Sequence, residues 1–197
     1  NKLVAYTVVR AHWTDLGGKD PGYILDSTSV HQEGIMIPGV KIVRRGEYNK
    51  DILAVLCANS RAPATIMGDF NAEVAALRVG VERVAELYQK YGSATVEASI
   101  SQILKVGEKQ ARAAILDLPD GEWEAEDWMD NDGISDDLVR IHVKITVKDD
   151  EMTVDYSGSS DQVAGPINLS FGMALSAARI CFKTLTTPKE PSNGGQF

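Results

Sequence analysis

Three histidines in 197 residues bound whatever metal or acid–base chemistry the chain could perform. His12 follows an apolar run, Leu3-Val4-Ala5-Tyr6-Thr7-Val8-Val9, and precedes Asp15 and the pair Gly17-Gly18. Strand ends that feed flexible loops are where rigid scaffolds present reactive groups. A neutral imidazole ligates Zn²⁺ or Mn²⁺, and a carboxylate suits either ion. One His and one Asp three apart are not a closed ligand set. Two readings therefore stand: a metal ligand completed by residues elsewhere, or a hydrogen-bonded loop histidine. His142 alternates with Ile141 and Val143 and reads as a surface residue. His31, in Val30-His31-Gln32-Glu33-Gly34, reads as a loop residue with no forced role.

Other chemistries fail on spacing. Gly17-Gly18-Lys19-Asp20-Pro21-Gly22 lacks the Lys-Ser/Thr ending of a phosphate-binding loop. Residues 127–133 resemble a calcium loop only in acidity, lack the closing Glu, and read as an exposed acidic turn. No serine sits in a Gly-x-Ser-x-Gly elbow. A net charge of −8 with scattered basic residues, Lys41, Arg44 and Arg45 being the densest group, argues against a nucleic-acid partner. No apolar run reaches the ~18 residues of a membrane helix. Two distant cysteines, Cys57 and Cys181, carry no disulfide framework and point to a reducing, cytoplasmic setting. The match of Asn168-Leu169-Ser170 to a glycosylation sequon is then fortuitous.

The elements that must position these residues follow from periodicity. Residues 3–9 predict a buried strand. Gly34 to Val43 predicts a short irregular strand, and Asp51 to Ala58 a brief helix that Pro63 closes off. Asp69 is placed as N-cap of a long helix whose apolar residues, Phe70, Val74, Leu77, Val81, Val84 and Tyr88, recur at spacings of three and four. Gly92 ends it, and a second helix runs from Thr95 to Leu116. The two are expected to form a helical hairpin. After Pro119-Asp120-Gly121 the period becomes two: Val139, Ile141, Val143, Ile145 and Val147 alternate with polar residues, and Met152, Val154 and Tyr156 continue in a return strand. A last helix covers about 171–185. The expected fold class is α+β, an antiparallel sheet region with a helical hairpin. Three stretches are distinguished: 1–68 with a strand and the Gly-rich loop, 69–118 as the hairpin, and 119–197 with strands and a C-terminal helix. The abrupt start, and an ending Asn193-Gly194-Gly195-Gln196-Phe197 whose aromatic has no neighbour in sequence, suggest an internal piece of a longer chain.

Four stretches carry a family resemblance: Arg10-Ala11-His12-Trp13-Thr14-Asp15-Leu16-Gly17-Gly18; Gln32-Glu33-Gly34-Ile35-Met36-Ile37-Pro38; Asn59-Ser60-Arg61-Ala62-Pro63 with Gly68-Asp69; and Tyr156-Ser157-Gly158-Ser159-Ser160-Asp161-Gln162 with Gly165-Pro166-Ile167-Asn168. In order and spacing the chain resembles the hydantoinase B family, which includes N-methylhydantoinase B, half of 5-oxoprolinase, and subunits of acetone and acetophenone carboxylases.

That resemblance implies a divalent metal, zinc or manganese, held by an upstream His-x-x-Asp pair together with His12. It implies a role for Asp15, in orienting the site or touching substrate. Gly17 and Gly18 would let backbone approach a pocket, and Glu33 falls on the family pattern. Trp13 stands where many relatives have a second His, and His31 where they have Tyr; the indole would suit an aromatic or apolar substrate. The implied activity is that of the metal-bearing subunit of an ATP-dependent carboxylase or cyclic-amide hydrolase. ATP and Mg²⁺ would sit on a partner subunit of the hydantoinase A type, and the substrate would be a small cyclic amide or ketone. The alternative is a structural and assembly module of such a complex.

Overall fold

The computed structural model describes residues 3–197. They divide into two compact units, Asn1–Lys90 and Tyr91–Phe197. The boundary falls between the two long helices of the expected hairpin, so each helix belongs to its own unit. The class is α+β, with four α-helices, a two-stranded sheet and a three-stranded antiparallel sheet among the described residues.

In the first unit, residues 3–9 depart from expectation. They form no strand, because no strand among the described residues lies beside them. Tyr6 and Val8 are 80% and 86% exposed rather than buried. Residues 34–41 are also irregular. A tight hairpin follows, β1 (Val43–Arg44) against β2 (Glu47–Tyr48). Helix α1 (Lys50–Ala58) starts at Asn49, whose side chain accepts from the Ile52 N–H. Helix α2 spans Pro63–Tyr91. Pro63 thus opens this helix and does not merely close the previous one; its missing N–H costs nothing at the first helical position. Asp69 lies inside α2, not at its cap. The unit's small core is Leu56, Ile66 and Phe70, with the Tyr48 ring set edge-on to Phe70 at 5.7 Å.

In the second unit, α3 (Ser93–Leu116) buries Gly107, Ala111 and Ile115. Strands β3 (Gly121–Met129), β4 (Val139–Lys148) and β5 (Glu151–Asp155) form a sheet in that order. The strands predicted here are present, in a register that pairs Trp123 with Ile145 and Val147 with Met152; the burial alternation holds in β5 but not in β4, where Ile141 is exposed and only Val147 is buried. Strand β3 is new. Its Glu122 and Glu126 meet Lys144 at 3.0 Å and Arg140 at 2.7 Å across the sheet, and Glu124 lies 3.6 Å from His142. His142 is no open surface residue: only 14% of its side chain is exposed. A Cβ on Gly158 would land on its ring. Residues 157–160 extend the pairing through hydroxyls, since Ser159 Oγ accepts from His142 N and donates to His142 O, both at 3.0 Å.

Asp132, expected in an exposed acidic turn, is instead buried. Its carboxylate accepts from the N–H groups of Ile134, Ser135 and Gly165, which hold it below the ordinary carboxylate range; the Ser135 bond contributes most. Helix α4 (Phe171–Thr186) leads to a closing turn at Gly194–Gln196, capped by Asn193. Phe197, without a neighbour in sequence, packs edge-on to Phe182 at 5.8 Å beneath the Arg179 guanidinium.

Candidate functional site

The residues singled out by sequence lie on the loops that precede α2. Asp15 is 3% exposed, and both its oxygens are taken by donors of its own chain. Oδ2 accepts from the Arg61 N–H at 2.6 Å; Oδ1 accepts from Gly17 N and from Arg61 Nη1, each at 3.0 Å. The backbone N–H of Arg61, then that of Gly17, hold the carboxyl below its ordinary value, and the Arg61 charge adds to them. Arg61 completes a clasp: its Nη2 donates to the carbonyls of Gly18 and Lys19 at 2.9 and 3.1 Å. The carboxylate therefore ties residues 15–19 to the turn between α1 and α2.

The glycines serve the same closure. Gly17 has φ +79°, and a Cβ there would sit 2.6 Å from the Asn59 carbonyl oxygen. Gly18 is buried, with Ile24 and the Glu33 carbonyl where its side chain would be. Main-chain bonds from Lys19 to Gln32 and from Ile35 to Leu16, both 2.8 Å, lace the loop to residues 32–35. Glu33 accepts from the buried Ser27 hydroxyl at 2.9 Å. Gly17→Ala meets both a left-handed φ, worth roughly 1–2 kcal/mol for a residue with a Cβ, and the Asn59 backbone. Its expected outcome is a lowered unfolding midpoint of the full-length subunit in urea, with Gly22→Ala, at φ +81° but in open space, losing less.

Trp13 and His12 face elsewhere. The Trp13 indole N–H donates to Glu73 Oε1 on α2 at 2.6 Å, so its polar edge is occupied and its ring is half-buried. His12 is exposed, its ring 6.2 Å from that of Tyr23 and tilted by 54°. Among the described residues neither of its ring nitrogens has a hydrogen-bond partner. His31 is also exposed, in the 3-10 turn Val30–Gln32.

The structure thus gathers Asp15, Gly17, Gly18 and Glu33 into one laced loop and leaves His12 as an open imidazole three residues before Asp15. Sequence reasoning quoted Arg61 without giving it a task; its signal was an arginine beside Pro63 with no acidic neighbour in sequence to explain it. As for a metal, the donors present fit one ligand and not a whole set. An imidazole with open nitrogens is a suitable donor, but among the described residues no three His, Cys, Asp or Glu side chains converge.

An α+β chain with this clasped loop has a place among known proteins. It belongs to the hydantoinase B/oxoprolinase family, whose profile matches residues 1–197. It is 37% identical over 176 residues to the B component of a putative D-/L-hydantoinase from a Pseudomonas species, covering 86% of this chain and 30% of that protein. It is 31% identical over 197 residues to the beta chain of the caprolactamase of Pseudomonas jessenii, covering 100% of this chain and 34% of that one. The crystal structure of the ATP-dependent caprolactamase from Pseudomonas jessenii superposes with a TM-score of 0.84 at 30% identity, over 94% of this chain and 32% of that one. An acetone carboxylase in a nucleotide-free state shares the fold, with a TM-score of 0.85 at 17% identity. The chain spans about a third of the length of these two relatives, 30% and 34%. No helix among the described residues is long and apolar enough to cross a membrane.

Proposed function

We propose that this chain forms part of the metal-bearing subunit of an ATP-dependent enzyme that opens a cyclic amide or carboxylates a ketone. The observation that carries the reading is His12: an exposed imidazole with open nitrogens, set beside a loop held rigid by the Asp15–Arg61 clasp. His12 would supply one ligand to a divalent ion, zinc or manganese, whose other ligands come from outside residues 1–197. Such an ion, when bound, polarises a carbonyl or makes water more acidic.

The chain's own residues then position and exclude. The clasp keeps the exposed Gly17 where its backbone can border a substrate, with the buried Gly18 bracing the loop behind it, and Trp13, anchored through Glu73, offers an apolar ring wall. Glu33 orders the opposite strand of the loop through Ser27. Asp15 acts as a positioning residue, because its oxygens are already committed. Relatives named as subunits support a multi-subunit enzyme. ATP with its Mg²⁺ would bind a partner of the hydantoinase A type, and two free thiols, Cys57 and Cys181, suit a cytoplasmic setting.

Metal analysis of the full-length subunit tests this. His12→Ala is expected to lose most of the bound ion and of the ATP-dependent turnover, with assembly preserved. Unchanged metal content and turnover would overturn it. Lost assembly with intact metal would favour the second reading, an assembly module, for which the exposed apolar residues among positions 3–9 speak.

A further inference from the structure

Residues 3–13 contain no helix, turn or bend. Among the described residues, none of the backbone N–H or C=O groups over that stretch is hydrogen-bonded. Residues 3–9 are nevertheless built from types that favour strands: Leu, Val, Ala, Tyr, Thr, Val, Val.

This run touches α2, although only Thr7 within it is even half-buried. The Thr7 hydroxyl donates to the Leu77 carbonyl of α2 at 3.3 Å. Gly80 lets the two approach, since a Cβ there would lie 2.7 Å from the Thr7 methyl. Val4 and Ala5 continue along α2 beside Val81, Val84 and Tyr88 around a cleft of about 370 Å³. A helix beside a run of strand-forming residues is how helices pack on sheets. What is missing is the sheet. Tyr6 and Val8 point away into solvent, and both hydrogen-bonding edges are open, a state that folded proteins avoid.

We propose that residues 3–9 are a strand of a sheet whose neighbouring strands come from polypeptide of the same subunit outside residues 1–197. The length of the relatives supplies that polypeptide: the matched segment is only 34% of the caprolactamase beta chain. The partner chemistry is set by what is open. Strands must pair with the main chain at both edges, and an apolar layer must cover Tyr6 and Val8. His12 lies three residues beyond Val9, so the same pairing fixes where the imidazole emerges. The inference does not rest on the metal reading.

Hydrogen exchange of the full-length subunit, followed by mass spectrometry, decides it. The amides of Val4 to Val9 are expected to exchange at least about a hundredfold more slowly than an unprotected peptide, at any protein concentration and without other subunits. Exchange at the free-peptide rate, alone and in the complex, would overturn the strand. Protection that appears only with a partner subunit, or that grows with concentration, would overturn the assignment to the same subunit and give the edges to the partner or to a second copy. None of these outcomes depends on metal, so failure of His12→Ala to lose the ion leaves them unaffected.

Discussion

On the proposed function, Asp15→Ala is expected to lower turnover of the full-length subunit with its partners by roughly 10–100-fold, the range for residues that orient a site without touching the reacting atoms. The carboxylate holds three donors at once, Gly17 N, Arg61 N and Arg61 Nη1. Removing it leaves a guanidinium without its counter-charge and two N–H groups without acceptors, so residues 15–19 lose their tie to the turn after α1. Arg61→Lys is the companion variant. A lysine keeps the charge and the backbone N–H but cannot bridge Oδ1 and the two carbonyls of Gly18 and Lys19. Its loss is expected to be smaller and to fall on KM, through a looser loop, with metal content kept near that of wild type. Asp15→Ala that retains full kcat and KM would remove the positioning role.

Acid gives a second readout of the same clasp. Asp15 titrates below its ordinary value of 3.8 in the folded chain. The charged form is therefore favoured by folding, and that stabilisation is complete above the ordinary value and lost as pH falls through the folded one. The melting temperature of wild type is expected to exceed that of Asp15→Asn by a constant margin from neutral pH down to about 5. The margin then closes as pH falls below 3.8. A margin independent of pH throughout would mean that the lost interaction is packing and not charge.

What could be read without coordinates follows from where the information resides. Strands β4 and β5 and helices α1 and α4 were legible because their apolar residues repeat within a single element. Strand β3 was not, since Glu122, Glu124 and Glu126 look like a solvated acidic run until Lys144, His142 and Arg140 reach them diagonally from β4. The start of α2 was misplaced because Pro63 serves equally as a stop and as a first helical residue. At the candidate site, His12 and the glycines were singled out by their place after an apolar run and by the family resemblance. The clasp was not, because Asp15 and Arg61 are 46 residues apart. The expected buried strand at residues 3–9 is absent among the described residues, because pairing and burial need neighbours that periodicity cannot supply.

The same lesson predicts a large effect far from the site, at Gly165. Its match to the family pattern had no physical account in sequence. In the fold, Gly165 is buried against Asp132: its N–H donates to Asp132 Oδ2 at 3.0 Å, and a Cβ would land on the Asp132 carbonyl. That contact is with backbone, so no rotamer change relieves it. Gly165→Ala is expected to cost about 3 kcal/mol or more, the upper end for inserting a methyl into a closed contact. Urea unfolding of the full-length subunit checks this. The cost should be less than additive with Asp132→Ala, because both variants break one anchor between the loop after β3 and the approach to α4. Asn168, which accepts from Val163 N and donates to the carbonyls of Val163 and Gly165, would then lose the geometry it braces. Additive losses, or an alanine tolerated without change, would show that the two segments yield independently and that the glycine is required for something other than this approach.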